Sequence, residues 1–168
     1  IYVGLAAAPL VVLYPLAKRV TWFPQFVLGL TFSWGGVLGW VAVTGTLPDQ
    51  SIMLIYAGCA AWVFGYDTIY AIQDMQDDRI VGVKSSALAL AHNIKAGVAS
   101  AYCLAIGLIA AGLLGFDHQP VVAAWFGLAG MAVHLGHQIW RLKGNDAVLA
   151  LALFKSNRDA GLLLVAGL

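Results

Sequence analysis

The sequence predicts an all-α fold, a polytopic bundle of transmembrane helices. Of its 168 residues, 61% are hydrophobic and only 10% are charged, and the apolar residues lie in long continuous runs. Transmembrane barrels need alternating apolar and polar residues, so continuous runs favour helices. The net charge of +1 gives no basic footprint, and no nucleic-acid partner is expected. The lipid bilayer is therefore the first predicted partner.

Each complete apolar run is long enough to cross a membrane. About 20 helical residues, at 1.5 Å per residue, span a hydrocarbon core of roughly 30 Å. The stretch 146–156, DAVLALALFKS, is shorter and is predicted to be an interfacial helix. The predicted runs are 1–16, 23–43, 51–72, 96–116 and 119–140, with a last one starting near 159.

The basic residues predict the orientation of the spans. All nine fall in three connections, whereas the alternate connections 44–50 and 115–119 hold none. Odd and even connections lie on opposite faces, so every positive charge is expected on one face, the cytoplasmic side or its equivalent. The three basic groups are Lys18 and Arg19; Arg79, Lys84 and Lys95; and Arg141, Lys143, Lys155 and Arg158.

Acidic residues at the end of the third run indicate a functional site. On one continuous helix at about 100° per residue, Asp67, Asp74 and Asp78 would fall within roughly 20° of one line, with Tyr70 beside them and Asp77 on the flank. Stacked carboxylates repel each other unless a cation lies between them. An aspartate at the centre of a span costs about 3 kcal/mol, so an intramembrane acid is a functional hypothesis by default.

The type of these ligands favours magnesium. Oxygen ligands without nearby histidine or cysteine suit Mg²⁺, which takes one or two carboxylates and completes its shell with phosphate oxygens and water. Arg79 and Lys84, a few residues on, could hold further phosphate charge. The stretch therefore predicts a diphosphate bound through magnesium at the inner membrane surface. For Asp77 the alternative is a capping acid paired with a nearby basic residue.

Two other groups of residues favour helix packing over chemistry. His134, His137 and Gln138 form a polar patch within a span, but no third zinc ligand is evident, so interhelical hydrogen bonding is the favoured interpretation. The glycines of SWGGVLGW are expected to let helices approach closely. They are Gly35, Gly36 and Gly39.

The acidic stretch also carries a family resemblance. DTIYAIQDMQDDRIVGVKSSA, residues 67–87, resembles the second aspartate-rich motif of the UbiA superfamily of intramembrane aromatic prenyltransferases. Within it the chain is most similar to the group that prenylates 4-hydroxybenzoate in ubiquinone synthesis. The resemblance implies nine helices around a central cavity, of which this chain would match the end of the fourth through part of the ninth. It extends through YPLAKRVTWFPQFVLGLTFSWGGVLGW, HLGHQIW and FKSNRDAGL.

The same resemblance implies that the chain is a fragment. We expect residues 1–168 to form a single transmembrane domain without its N-terminal helices. The family's first aspartate motif, of the NDxxDxxxD type, is not in this sequence. We therefore expect the chain to hold half of the metal site and to be inactive alone.

The resemblance assigns roles to the acidic stretch. Asp74 and Asp78 would hold Mg²⁺ against the diphosphate of a polyprenyl diphosphate, and Lys84 would bind diphosphate oxygens. Magnesium would neutralise the leaving group as the allylic carbon–oxygen bond breaks. The allylic cation then attacks 4-hydroxybenzoate at the carbon ortho to its hydroxyl. Asp67 would orient the ring or the metal, and Tyr70 would make one hydrogen bond or belong to an interfacial aromatic belt.

The anionic acceptor requires a cation of its own. Arg19 is the candidate, because a guanidinium presents a bidentate fork to a carboxylate. The alternative is that Lys18 and Arg19 only follow the positive-inside bias. Asn157 and Arg158 would line the cavity mouth or cap the last helix. The expected location is a bacterial inner membrane, or alternatively the mitochondrial inner membrane, with the site facing cytoplasm or matrix.

Two other functions compete with this interpretation. Acids inside spans also mark the pathways of ion transporters, but transporters spread their acids across helices near the midplane. In this chain the acids cluster at one end of a span, beside basic residues. A CDP-alcohol phosphotransferase is the second alternative, but its DGxxAR core has no counterpart after Asp78.

Overall fold

The computed structural model describes residues 1–116 and 122–168, and within these ranges the chain is helical and contains no strand. The all-α prediction is confirmed. The helices are α1 (Tyr2–Leu5), α2 (Ala8–Val20), α3 (Pro24–Thr44), α4 (Gln50–Tyr70), α5 (Met75–Val81), α6 (Ser86–Ala89), α7 (Ile94–Leu114), α8 (Val122–Arg141), α9 (Ala147–Lys155) and α10 (Asn157–Gly167).

Four helical segments in the described ranges are long and apolar enough to cross a bilayer. They are the combined segment Tyr2–Val20 and the helices α3, α4 and α7. Helix α8 has 20 residues, which is also sufficient length, but its histidines and glutamine lower its hydropathy. The predicted connection at 115–119 and the start of the predicted span 119–140 lie partly outside the described residues.

The helix starts follow from local sequence. Helix α3 begins at Pro24, whose fixed backbone angle suits the first turn of a helix. Helix α4 follows Asp49, whose carboxylate accepts a hydrogen bond of 3.0 Å from the backbone N–H of Ile52. These signals lie at the edges of the apolar runs, so the predicted spans 23–43 and 51–72 match α3 and α4 within two residues.

Helix α4 is the centre of the bundle, because α3, α7 and α9 all pack against it. The approach of α3 is close at Gly29, where an added Cβ would lie 2.5 Å from the backbone oxygen of Ala60. On the opposite side α7 approaches Gly58, where a Cβ would lie 2.9 Å from the backbone oxygen of Ala105. Because glycine has no side chain, α3 and α7 can each pack closely against α4 at these two positions.

The contact between α3 and α4 is not made by the glycines of SWGGVLGW. Among the described residues, nothing lies within 4 Å of an added Cβ at Gly35, Gly36 or Gly39. Helix α3 is held against α4 through a different face, which contains Gly29. Close helix packing at the SWGGVLGW glycines therefore stays a prediction.

The first two basic connections and the start of the third meet at one end of the bundle. The backbone N–H of Lys84 donates to the carbonyl of Lys18 at 3.3 Å, which joins the last turn of α2 to the α5–α6 connection. The ammonium of Lys95 donates to the carbonyl of Trp140 at 3.1 Å, which joins the start of α7 to the end of α8. This arrangement agrees with the predicted clustering of charge on one face.

The predicted third connection is shorter than expected. It ends at Asp146, whose carboxylate accepts a hydrogen bond of 2.9 Å from the N–H of Leu149 and starts α9. Helices α9 and α10 are then separated only by Ser156, which keeps right-handed helical angles (φ −70°, ψ −9°). The segment 147–167 is thus one nearly continuous helical run, with Ala150 buried. The helix predicted at 146–156 is present as α9, and its interfacial position stays a prediction.

Replacing Gly29 by alanine tests the close approach of α3 to α4. The added methyl meets rigid backbone, so we expect a loss of about 1–3 kcal/mol in the free energy of unfolding. Gly36→Ala is the matched control in the same helix, and its effect should stay within about 0.5 kcal/mol. The measurement is unfolding in detergent micelles followed by circular dichroism. Equal effects of the two substitutions would contradict this packing.

Candidate active site

A small polar cavity of about 80 Å³ lies where the end of α4 meets α2 and the α5–α6 connection. We call it the acidic pocket. It brings together most of the side chains that the sequence predicted for the site, and adds others. Its lining residues are Tyr14, Lys18, Gln25, Asp67, Tyr70, Ala71, Asp74, Asp78, Val83, Lys84 and Ser85.

The aspartates reach this pocket by a different path from the one predicted. Helix α4 ends at Tyr70, and the chain continues through a turn in which the N–H of Gln73 donates to the carbonyl of Tyr70 at 3.1 Å. Helix α5 then begins at Met75, directly after Asp74. The prediction of one helix with a straight stack of carboxylates is therefore wrong. The turn nevertheless places Asp67, at the end of α4, in the same cavity as the later aspartates.

The pKa of the Asp78 carboxyl is raised above its ordinary value. Burial is the largest cause that raises the pKa of this carboxyl, and the nearby Asp74 raises it further. Lys18 and a hydrogen bond from Ser85 act in the opposite direction. A bound cation would remove the repulsion between the carboxylates, so the pocket is electrostatically suited to positive charge.

Lys84 is fixed at the pocket by the end of α2 and the residues that follow it. Its ammonium donates to the carbonyl of Val20 at 3.1 Å and lies 5.6 Å from the centre of the Trp22 ring. The second lysine that lines the pocket is Lys18, whose ammonium lies 5.5 Å from the centre of the Tyr14 ring. Two ammonium groups therefore accompany the three carboxylates, which is an arrangement that can hold an anion beside a metal ion.

Gln25 is a lining residue that sequence reasoning missed. It is only 4% exposed, and its side-chain oxygen accepts a hydrogen bond of 3.0 Å from the N–H of Ser86. The Ser86 hydroxyl in turn lies 2.7 Å from the hydroxyl of Thr68. These bonds tie α3, α4 and α6 together beneath the pocket. The available signal was a glutamine directly after Pro24 in an otherwise apolar run.

The donor set of the pocket suits magnesium. The lining side chains include three carboxylates and neither histidine nor cysteine, and hard oxygen ligands of this kind fit Mg²⁺ better than zinc. Within residues 1–116 and 122–168, no three acidic, histidine or cysteine side chains lie close enough to share one ion. A metal here would therefore use one or two protein carboxylates, the number that Mg²⁺ typically takes beside phosphate and water. Asp74 and Asp78 both line the pocket, and their role as metal ligands stays a prediction.

Arg19 does not line the acidic pocket. Tyr14 and Lys18 are four residues apart and share one face of α2, and that face is the one turned to the pocket. Arg19 lies about 100° further around the same helix and is exposed. The basic side chain that α2 contributes to the acidic pocket is thus Lys18. The predicted contact of Arg19 with the carboxylate of the acceptor is a separate assignment and stays a prediction. Asp77 is likewise exposed and outside the pocket, as its predicted flank position implied.

Asn157 also lies outside the acidic pocket, in the membrane-spanning part of the bundle. It is 6% exposed, and its amide donates to the carbonyls of Leu153 and Phe154 at 3.2 and 3.1 Å. Its side-chain oxygen accepts a hydrogen bond of 2.9 Å from the indole N–H of Trp62. Asn157 therefore caps the end of α9, not the start of the last helix, and ties it to α4.

The predicted polar patch on α8 joins this network. Gln138 is fully buried, accepts a hydrogen bond of 2.7 Å from the Tyr102 hydroxyl and donates one of 2.9 Å to the Ser156 hydroxyl. His134 lies 3.2 Å from the same hydroxyl. His137 instead packs on Trp140, with ring centres 5.9 Å apart. Interhelical hydrogen bonding is thus confirmed for His134 and Gln138.

Comparison with known proteins gives one family. The model of the UbiA prenyltransferase family matches residues 1–158. Proteins named "4-hydroxybenzoate polyprenyltransferase, mitochondrial" are 40% identical in Rattus norvegicus, 41% in Caenorhabditis elegans and 36% in Homo sapiens. The matches cover 99–100% of this chain but only 44–46% of the relatives, so the chain spans less than half their length. No solved structure matches it.

Substitution of Asn157 tests the network. Asn157→Ala leaves the Trp62 N–H without its partner and removes one donor from the carbonyls of Leu153 and Phe154, and we expect a loss of about 1–3 kcal/mol in the free energy of unfolding. Asn145→Ala, at an exposed position in the α8–α9 connection, is the control and should be neutral. The measurement is detergent unfolding followed by tryptophan fluorescence. A neutral Asn157→Ala would show that the network does not stabilise the bundle.

Proposed function

The chain belongs to the UbiA prenyltransferase family, and from this premise we propose that the full-length protein transfers a polyprenyl group from polyprenyl diphosphate to 4-hydroxybenzoate. The observation that carries the proposal is the acidic pocket, in which three carboxylates and two lysines meet at the end of a membrane-spanning helix. The names of the relatives support this donor and acceptor. Membership in a prenyltransferase family argues against the transporter and phosphotransferase alternatives.

We assign the diphosphate end of the donor to the acidic pocket. Asp74 and Asp78 would hold Mg²⁺, and Lys84 and Lys18 would bind diphosphate oxygens directly. A magnesium ion bound there supplies positive charge that stabilises the departing diphosphate. The hydrogen bond from Lys84 to the carbonyl of Val20 keeps its ammonium in place before the donor arrives, so little reorganisation is required on binding.

The reaction exchanges one bond for another. The allylic carbon–oxygen bond of the donor breaks, and the diphosphate leaves with the electron pair. The ring carbon ortho to the acceptor hydroxyl then forms a bond to the allylic carbon, and loss of the ring proton restores aromaticity. The apolar spans beside the pocket would keep the polyprenyl chain in hydrocarbon while its charged end reaches the surface.

The proposed location is the inner membrane, with the acidic pocket on the cytoplasmic or matrix side. The positive-inside bias supports the orientation, because the pocket lies at the end where the basic connections meet. The relatives carry the word mitochondrial in their names, which favours the mitochondrial membrane over the bacterial one. We propose ubiquinone synthesis as the pathway.

Conversion of the carboxylates to amides tests the metal assignment. Asp74→Asn and Asp78→Asn each remove one anionic ligand while keeping the side-chain size, and we expect turnover of the full-length protein to fall by about 100-fold or more. Asp77→Asn, on the same short helix but outside the pocket, should keep turnover within about threefold. Prenylated 4-hydroxybenzoate is measured with and without EDTA. Full activity of Asp74→Asn and Asp78→Asn would remove the basis of the assignment.

Neutralisation of Lys84 tests the donor site. Lys84→Gln removes one charge-assisted contact to diphosphate, and we expect KM for polyprenyl diphosphate to rise about tenfold with little change in KM for the acceptor. Lys95→Gln is the control, because this lysine lies at the same end of the bundle and bonds to Trp140 instead. An equal effect of both substitutions on donor KM would point to general surface charge.

A further inference from the structure

A groove of about 510 Å³ lies between the start of α7 and the end of α8. We call it the basic groove. Among the described residues, none that lines this groove also lines the acidic pocket, so the two are separate features of the molecule. The lining residues of the basic groove include His92, Asn93, Lys95, Ala99, Ile139 and Gly144.

The basic groove lies at the end of two long helices, at the level where a bilayer meets water. Lys95 is the second residue of α7, a membrane-spanning helix with the range Ile94–Leu114. Its ammonium binds the carbonyl of Trp140, which is the last residue but one of α8. The Trp140 side chain is 75% exposed, and an exposed indole at the end of a span is typical of the headgroup level of a membrane.

The polarity of the basic groove changes along α7. His92 and Asn93 precede the helix and give the groove a polar end. Within the first two turns of the span its walls are Ala96, Ala99 and Ile139 of α8, which are all apolar. A phospholipid has the same order, with its headgroup at the interface and its acyl chains in hydrocarbon. The groove therefore has the polarity of a lipid site.

Three cations surround the basic groove. Lys95 lines it, and Arg141 and Lys143 are exposed shortly before Gly144, which also lines it. An ammonium has three N–H groups, and among the described residues Lys95 uses one of them, in its bond of 3.1 Å to Trp140. The position of this ammonium is thus fixed while two of its donors can still bind a ligand.

Acidic side chains of the described residues do not neutralise these cations. The acid that follows them in the sequence is Asp146, whose carboxylate accepts a hydrogen bond of 2.9 Å from the N–H of Leu149 at the start of α9. Among the described residues, the ion pair in the structure joins Arg158 to Asp159 and involves none of the three. The charge of the groove therefore complements an anion.

We propose that the basic groove binds an anionic phospholipid. The lipid phosphate accepts hydrogen bonds from Lys95, and Arg141 and Lys143 add positive charge around the headgroup. One acyl chain lies against Ala96 and Ala99, between α7 and α8. The bound lipid joins the same two helix ends that the bond from Lys95 to Trp140 holds together. This inference does not depend on the proposed function, because it uses no residue of the acidic pocket.

Equilibrium lipid binding to the full-length protein in an uncharged detergent tests the site. The probes are phosphatidylglycerol, which has a net negative charge, and phosphatidylcholine, which has the same phosphate but no net charge. We expect phosphatidylglycerol to bind about tenfold or more tightly than phosphatidylcholine. Lys95→Gln, Arg141→Gln and Lys143→Gln should each weaken phosphatidylglycerol binding about fivefold and leave phosphatidylcholine within about twofold.

Lys155→Gln is the matched control for charge. This lysine is exposed at the end of α9 and does not line the basic groove, so its substitution should leave the affinity for phosphatidylglycerol within about twofold. If Lys95→Gln fails to fold because the Trp140 carbonyl loses its donor, Lys143→Gln decides. The Lys143 side chain makes no hydrogen bond or ion pair with the described residues.

A second pair of variants tests the apolar part of the groove without changing any charge. Ala99→Phe fills the space beside α7, and we expect phosphatidylglycerol to bind about fivefold more weakly. Leu104→Phe is the control, because Leu104 is exposed on another face of the same helix. An equal effect of the two substitutions would contradict an acyl chain in this groove.

The remaining outcomes separate a lipid from other anions. Equal affinities for the two lipids, or an equal loss in Lys155→Gln and Lys143→Gln, would overturn the site. Inorganic phosphate at constant ionic strength should not compete with phosphatidylglycerol, and competition would show a site for soluble phosphate instead. Prenyl transfer by the same preparations is measured separately, so a protein without transfer activity that still prefers phosphatidylglycerol would overturn the proposed function and keep the lipid site.

Discussion

The hydrogen bond from Trp62 to Asn157 fixes the depth at which the last helical run lies against α4. Asn157 satisfies the carbonyls at the end of α9 with its amide and uses its oxygen to hold the indole. In hydrocarbon an unpaired polar group costs several kcal/mol, so the register is strongly preferred over one shifted by a residue. The position of Phe154 against Tyr70 follows from this register.

The helices were predictable because the residues that determine them are neighbours in the sequence. Continuous apolar runs, Pro24 and the capping Asp49 locate α3 and α4 within two residues. The helix predicted at 146–156 is likewise present as α9. Hydropathy along the chain does not show which helices pack together, so the contact of α9 with α4 could not be predicted.

The candidate site was predictable in composition but not in geometry. The acids, Lys84 and Tyr70 could be named from one stretch because they are close in sequence. Lys18 and Gln25 come from distant helices, and their participation depends on which helical face turns inward. The end of α4 at Tyr70 was hidden as well, since the following residues, AIQDM, contain neither proline nor glycine. Tertiary packing therefore determines which helical faces turn inward and where α4 ends, because local helix propensity does not specify them.

The bonds of Lys84 to the end of α2 bear on the evolution of this protein. Loops ordinarily accept inserted or deleted residues, since few contacts depend on their length. Here the carbonyls of Lys18 and Val20, in the last turn of α2, hold both the backbone and the ammonium of Lys84. A change of one residue in the α5–α6 loop, which contains Lys84, would misalign both bonds. Length variation among natural homologues should therefore concentrate at the opposite end of the bundle, in the exposed segment 45–47 between α3 and α4.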